Sequence, residues 1–142
     1  MTAKNPTEDA ALVPFDRHAH WFLRFSLASV FIVMGLDKFM GGGLGEFSSG
    51  TGLPVFVAAL VALAELGGGL LVVVGGFSAR MGDALTRLGA AMIVPVMLGA
   101  IFMVHWGQWH FMATETHPMG GMMIQVVLTM IALYLLVKGN RA

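Results

Sequence analysis

Four long apolar stretches alternate with short polar or glycine-rich segments along the chain. They cover about residues 21–40, 53–76, 84–104 and 119–137. Each is close to the roughly 20 helical residues that cross the hydrocarbon core of a bilayer. Backbone N–H and C=O groups must be paired inside a bilayer, so these stretches are predicted to be helices. The pattern therefore predicts an all-α integral membrane protein, a bundle of four transmembrane helices.

The connections between the stretches carry turn signals. We predict a flexible glycine-rich loop, a short turn and a polar, aromatic loop, at residues 41–54, 75–83 and 105–118. Pro95 lies in the middle of the third stretch and is predicted to kink that helix. The chain then divides into an N-terminal segment (1–18), a four-helix domain (19–138) and a short tail (139–142).

The distribution of lysine and arginine predicts the orientation of these helices. One side of the predicted bundle carries seven basic residues and the other side carries Lys38 alone. The seven are Lys4, Arg17, Arg24, Arg80, Arg87, Lys138 and Arg141. Because basic residues are retained on the cytoplasmic side, both termini are predicted to be cytoplasmic. We expect a bacterial inner-membrane protein whose first helix is an uncleaved insertion signal.

Composition supports this class and excludes several functions. The chain is 57% hydrophobic and 11% charged, whereas a soluble domain is about 25% charged. The net charge is zero and no basic block is present, so nucleic acid is not an expected partner. The absence of cysteine excludes disulfides, thiolate-bound clusters and a cysteine nucleophile within this chain.

Two charged residues fall inside the predicted helices. Glu65 lies about 18 Å and Arg24 about 21 Å from the outer surface, counted at about 1.5 Å per residue. Ionisable residues at such depths mark functional sites by default. Because the depths match and small residues flank both positions, we predict that Arg24 and Glu65 face each other. Two interpretations stay open: a charged pocket for a ligand or proton, and a structural ion pair that locks two helices.

Other polar residues are weaker candidates. Gln125, in the fourth span, either joins the same interior or simply ties helices together. Near the predicted outer surface, histidine and methionine side chains suit Cu(I), although their spacing fits no established metal motif. These weak metal candidates are His105, His110, His117 and Met119. The sequence contains no phosphate loop, nucleophile elbow or zinc-protease motif, so no complete catalytic site is expected.

Several of these residues form a recognisable pattern. Arg24 followed by GLDKF at 35–39 resembles the first-span signature of the DoxX family. AELGGGL at 64–70 and GGFSAR at 75–80 are similar to its second span and following turn. That family often has a glutamate early in the last span, where this chain has Gln125. The resemblance implies a four-helix bundle associated with membrane redox systems, since the family is named for a subunit of a thiosulfate:quinone oxidoreductase.

The expected function is a membrane subunit of an oxidoreductase or respiratory-type assembly. It would dock membrane, periplasmic or cytoplasmic redox subunits and shape a quinone or proton site from Arg24, Glu65 and His105. No covalently bound cofactor is expected, so electrons would come from partner subunits. Two alternatives stay open: a non-enzymatic assembly subunit, and a small transporter or copper-handling protein. Homo-oligomerisation is also open.

Overall fold

The protein is described by a computed structural model that covers residues 6–40, 42–115 and 121–141, with side chains from residue 18 to residue 140 within those ranges. Every regular element in these ranges is helical. The helices are α1 (Pro6–Met40), α2 (Gly43–Thr51), α3 (Val55–Phe77), α4 (Gly82–Gly99) and α5 (Met122–Lys138). A π-helical turn, Ala100–Val104, continues α4, and a 3-10 turn, Gly139–Arg141, follows α5.

Three helical segments are long and apolar enough to cross a membrane: His18–Met40, Val55–Phe77 and Gly82–Val104, each of 23 residues. A segment of this length spans about 35 Å at about 1.5 Å per residue. The shorter apolar helix α5 has 17 residues, the lower end of the range of about 17–25 residues for a membrane helix. The structure therefore confirms the predicted all-α membrane bundle.

The bundle is held by apolar packing and by close backbone contacts. Helix α3 packs between α1 and α4, and α5 packs against α4. Leu27, Phe31 and Ile93 are fully buried between these helices. Large apolar side chains on the opposite faces are exposed to the surrounding lipid, as with Phe22 and Phe56.

Glycine sets the register between α1 and α3. A Cβ atom added at Gly35 would lie 2.8 Å from the Cβ of Leu66, so only a glycine permits this approach. Gly69 faces Ile32 in the same way. Small residues allow such backbone contacts between membrane helices, where packing replaces the hydrophobic effect as the driving force. Glu65 consequently lies level with Gly35, in the middle of α3 and near the last turns of α1.

The predicted glycine-rich loop is wrong in part, because it contains the nine-residue helix α2. Positive φ angles at Gly43 (76°) and Gly52 (73°) provide the sharp turns that lead into and out of this helix. The Ser48 hydroxyl donates a hydrogen bond to the Leu53 carbonyl at 2.6 Å and fixes the exit. The glycines of this segment predict flexibility, but in the structure Gly43 and Gly52 form the turns on the two sides of a helix.

One further boundary differs from the prediction. Helix α1 begins at Pro6, well before the predicted start of the first span. Helix α4 continues through Pro95 and then widens into the π turn, where the backbone N–H of His105 donates to the Ala100 carbonyl at 2.9 Å. The bond closes one residue later than an α-helical bond, and π turns of this kind are frequent at functional sites.

Candidate functional site

Arg24 is fully buried at the end of the bundle that carries Asn140, here called the Asn140 end. Its guanidinium donates at 2.7 Å to the Val72 carbonyl and at 2.7 Å to the Thr86 hydroxyl. It also donates to the Asn140 side-chain oxygen at 2.5 Å and to the Gly139 carbonyl at 3.3 Å. Four segments of the chain therefore meet at one side chain.

Asn140 completes this cluster from the chain that follows α5. Its side-chain nitrogen donates to the Gly75 carbonyl at 2.9 Å, and its side-chain oxygen accepts from the Thr86 hydroxyl at 2.8 Å. Its backbone N–H donates to the Asp83 carboxylate at 3.1 Å. The asparagine amide thus uses both its donor and its acceptor in joining α3, α4 and the C-terminal turn.

The predicted pairing of Arg24 with Glu65 is wrong. Glu65 binds Lys38 instead, with 2.6 Å between the Lys38 ammonium and a carboxylate oxygen. Among the described residues, no carboxylate lies within ion-pair distance of Arg24. The predicted depths assumed that the outer ends of the first two spans are level, but Gly35 packs against Leu66. Glu65 is therefore displaced from Arg24 by about eleven residues of α1, or about 16 Å.

The Lys38–Glu65 pair lies toward the opposite end of the bundle, in the half that carries α2, called here the α2 end. The side chains of Lys38 and Glu65 are 10% and 3% exposed. The Lys38 ammonium also donates weakly to the Met34 carbonyl at 3.4 Å and lies 4.6 Å from the centre of the Phe47 ring. This lysine thus connects α1, α3 and α2. Lys38 was not predicted as a site residue, because its place at the end of the first predicted span marked it only as the single basic residue on its side.

Beside this pair is a cavity of about 730 Å³, called here the α2 cavity. Its walls are mainly apolar and come from α1, α3 and α4, with α2 along one side. The apolar lining includes Met34, Val57, Val61, Val96, Met97 and Met103. Four polar side chains lie deep in the same lining: Lys38, Glu65, His105 and Gln125. Pockets of about 300–1,000 Å³ with apolar walls and a few polar groups are typical small-molecule sites.

His105 and Gln125 reach the cavity from different elements. The π turn places His105 at its end, where the residue is 5% exposed. Gln125 lies in the first turns of α5 and is 7% exposed, yet its side-chain oxygen has no hydrogen-bond partner among the described residues. A buried amide oxygen without a partner costs about 1–3 kcal/mol. This cost is removed when a ligand donates a hydrogen bond to it.

Of the predicted site residues, the structure thus brings together Glu65, His105 and Gln125 and separates Arg24 from them. Two of the weak metal candidates, His117 and Met119, lie outside the described residues. His110 belongs to the loop after the π turn, where a ring nitrogen lies 2.9 Å from the Met112 carbonyl. Within the described part of the chain, no group of three or more histidine, aspartate or glutamate residues could hold a metal ion.

Fold and site together define a class: a helical membrane protein with a largely apolar cavity of about 730 Å³ beside a buried ion pair. The sequence profile of DoxX matches residues 19–106, which is more than half of the chain. The chain therefore belongs to the DoxX family. The matched segment includes Arg24, the Lys38–Glu65 pair and His105, and it ends before α5 and Gln125.

A similar protein of Bacillus subtilis (strain 168) bears the name "Putative oxidoreductase CatD". It is 43% identical over 84 residues, which cover 57% of this chain and 61% of that protein. The chain thus spans less than two thirds of the length of this relative. No solved structure matches the chain with statistical significance.

Proposed function

We propose that this protein is the membrane subunit of a quinone-linked oxidoreductase and that the α2 cavity binds the quinone head group. The observation that carries the proposal is the convergence of Lys38, Glu65, His105 and Gln125 on one largely apolar cavity of about 730 Å³. A quinone ring needs apolar walls for its faces and hydrogen-bonding groups for its two oxygens. The name of the Bacillus relative supports a redox role.

The polar groups of the cavity suit both redox forms of such a ligand. A quinone oxygen accepts hydrogen bonds, and Lys38 can donate one while it remains paired with Glu65. A quinol hydroxyl donates, and the Gln125 oxygen, which has no partner within the described ranges, can accept from it. The Gln125 amide can also turn over and present its NH₂ group as a donor. In this proposal a partner subunit carries the redox centre, and this chain supplies the quinone site and the docking surface.

The direct test is head-group binding by the purified full chain. We expect a tailless quinone to bind, and the substitution Gln125→Leu to weaken its binding about tenfold, since one lost hydrogen bond is worth about 1 kcal/mol or more. Thr129→Val is the matched control, because it removes a buried hydroxyl one turn along the same helix and outside the cavity lining. Equal affinity of wild type and Gln125→Leu would contradict this assignment of the cavity.

A second part of the proposal is the orientation in a bacterial inner membrane. The seven-to-one distribution of basic residues supports cytoplasmic termini. The α2 cavity would then open toward the outer side. A reporter that works only in the cytoplasm should be active when it is fused after Ala142. A reporter that works only in the periplasm should be active when it is inserted at Gly45 in α2. The reverse pair of activities would exclude this orientation.

The Arg24 cluster favours a second role for the other end of the molecule. Its four hydrogen bonds, to Val72, Thr86, Gly139 and Asn140, tie α1, α3, α4 and the C-terminal turn together. An assembly subunit needs such a rigid frame whether or not it binds a quinone. A purely structural function would be favoured if the protein co-purified with a redox complex and its α2 cavity bound no quinone.

A further inference from the structure

A second depression lies on the lipid-facing surface between α3 and α4, called here the α3–α4 groove. Its volume is about 360 Å³, and it is open to the surroundings of the bundle. Leu60, Ala64 and Met92 line it without lining the α2 cavity. Leu60 is 50% exposed. All the lining residues are apolar, in contrast to the mixed lining of the cavity.

The groove and the cavity share a wall. Val57, Val61, Pro95 and Val96 line both of them. The polar groups of the cavity thus lie on one side of this wall, and lipid-exposed surface lies on the other side. A molecule that bridged the two spaces would place a polar head beside Glu65 and an apolar tail beside Leu60.

The packing of α3 and α4 explains why the groove is here. Farther toward the Asn140 end the helices touch, since a Cβ atom at Gly89 would lie 2.6 Å from the Gly68 carbonyl oxygen. Toward the α2 end their facing residues are larger, as with Val61 and Pro95. Pro95 also lacks the N–H that would bond to the preceding turn of α4. The two helices are therefore in close backbone contact at Gly68 and Gly89, and the groove lies between them on the α2 side of these glycines.

We propose that the α3–α4 groove holds the first part of the isoprenoid tail of the quinone, so that the ligand enters sideways from the bilayer between α3 and α4. This inference rests on the proposed quinone site in the α2 cavity. It deepens that proposal by naming the ligand as a membrane-embedded, tailed quinone rather than a water-soluble one. The competing route leads from the aqueous side past α2, where Glu46 and Phe47 line the cavity.

Affinity alone would test this inference poorly, because a tail moves from one apolar environment to another and gains little hydrophobic free energy. The position of the quinone tail on the protein is the better readout. We would use a quinone with a photoreactive diazirine on the first isoprene unit, the full-length protein in lipid nanodiscs, and peptide mass spectrometry. We expect labelling at Leu60, Ala64 and Met92. Excess tailless quinone should displace the label, because both head groups would compete for the α2 cavity.

Two matched variants sharpen the test. Leu60→Trp fills the groove, whereas Leu63→Trp places the same side chain on the same helix at a position that lines neither space. The two leucines are 50% and 54% exposed, so both changes occur on lipid-facing surface. We expect Leu60→Trp to lower groove labelling several-fold while tailless quinone still binds, and Leu63→Trp to leave labelling unchanged. Ala64→Phe provides a second block of the groove.

The outcomes separate the two proposals. Label that tailless quinone displaces, but that lies on α2 near Phe47, would overturn the lateral route and keep the quinone site. Labelling spread over all lipid-facing residues, without displacement, would overturn both. Groove labelling by a phospholipid with a diazirine on its acyl chain, unaffected by tailed quinone, would assign the groove to lipid and overturn the tail site.

Discussion

The two ends of the bundle each bury a charged side chain, but they use it differently. At the Asn140 end, Arg24 meets four acceptors from the chain itself and does not line the cavity at the other end. At the α2 end, the Lys38–Glu65 pair borders a cavity of about 730 Å³ together with an amide oxygen that has no partner among the described residues. A buried charge alone therefore does not identify a ligand site. Unused hydrogen-bonding capacity beside open space is what makes the α2 end the candidate ligand site.

The largest effect should come from removing the charged centre of the Asn140 end. Arg24→Met deletes hydrogen bonds from a charged donor, each worth about 1.5–3 kcal/mol, and leaves Asn140 and Thr86 without this partner. We expect a loss of about 3–5 kcal/mol, seen as a large fall in melting temperature or as failure to accumulate. Arg80→Met is the control, since Arg80 is exposed. Equal melting temperatures for the two variants would refute the structural role of Arg24.

The contrast between the ends also shows what the sequence could predict. The apolar stretches predicted the membrane helices, because bilayer thickness and backbone pairing leave few alternatives. Glu65, His105 and Gln125 were identified as candidates because polar residues stand out in apolar spans. Their partners depend on the register between helices, which close contacts such as Gly35 with Leu66 determine. That register is a tertiary property, so the pairing of Glu65 with Lys38 rather than Arg24 could not be read from depth alone.

Two polar contributors were missed for a related reason. Thr86 and Asn140 lie near the ends of α4 and α5, where polar residues normally face water or headgroups. Only the folded bundle brings them beside Arg24, with Thr86 and Asn140 joined at 2.8 Å. Helix α2 was likewise hidden by its flanking glycines, whose positive φ angles serve its turns.

The next largest effect should follow from neutralising Glu65 at the α2 end. Glu65→Gln leaves the Lys38 ammonium with a neutral partner in a site where the lysine side chain is only 10% exposed. Breaking a buried ion pair costs about 3–5 kcal/mol in soluble proteins. We expect about 2 kcal/mol here, because the lysine keeps its contacts with Phe47 and the Met34 carbonyl.

The double variant Lys38→Met/Glu65→Leu separates stability from ligand binding. Replacing both charges by apolar groups of similar size is often neutral or stabilising, so the melting temperature should return close to that of the wild type. Quinone binding should still be lost, because the cavity would lack both charged groups. A well-folded double variant that binds quinone with wild-type affinity would show that the pair is structural glue and would favour the assembly function.

The smallest stability effect should come from Gln125, and it gives the sharpest comparison between the two ends. Gln125 and Asn140 are both amides near an end of α5, but the Gln125 oxygen has no partner in the described part of the chain, whereas Asn140 uses its side-chain oxygen and nitrogen in hydrogen bonds. Replacing an unsatisfied buried amide by an apolar side chain removes a desolvation cost, so Gln125→Leu should change stability by less than about 1 kcal/mol, or raise it. Asn140→Leu should instead lose about 2 kcal/mol, because it removes the side-chain donor to the Gly75 carbonyl and one of the four acceptors of Arg24. Thermal unfolding of the two variants in the same detergent measures the difference directly. If Gln125→Leu proved as destabilising as Asn140→Leu, the glutamine would be part of the structural frame, and the α2 end would lose the feature that supports the proposed ligand site.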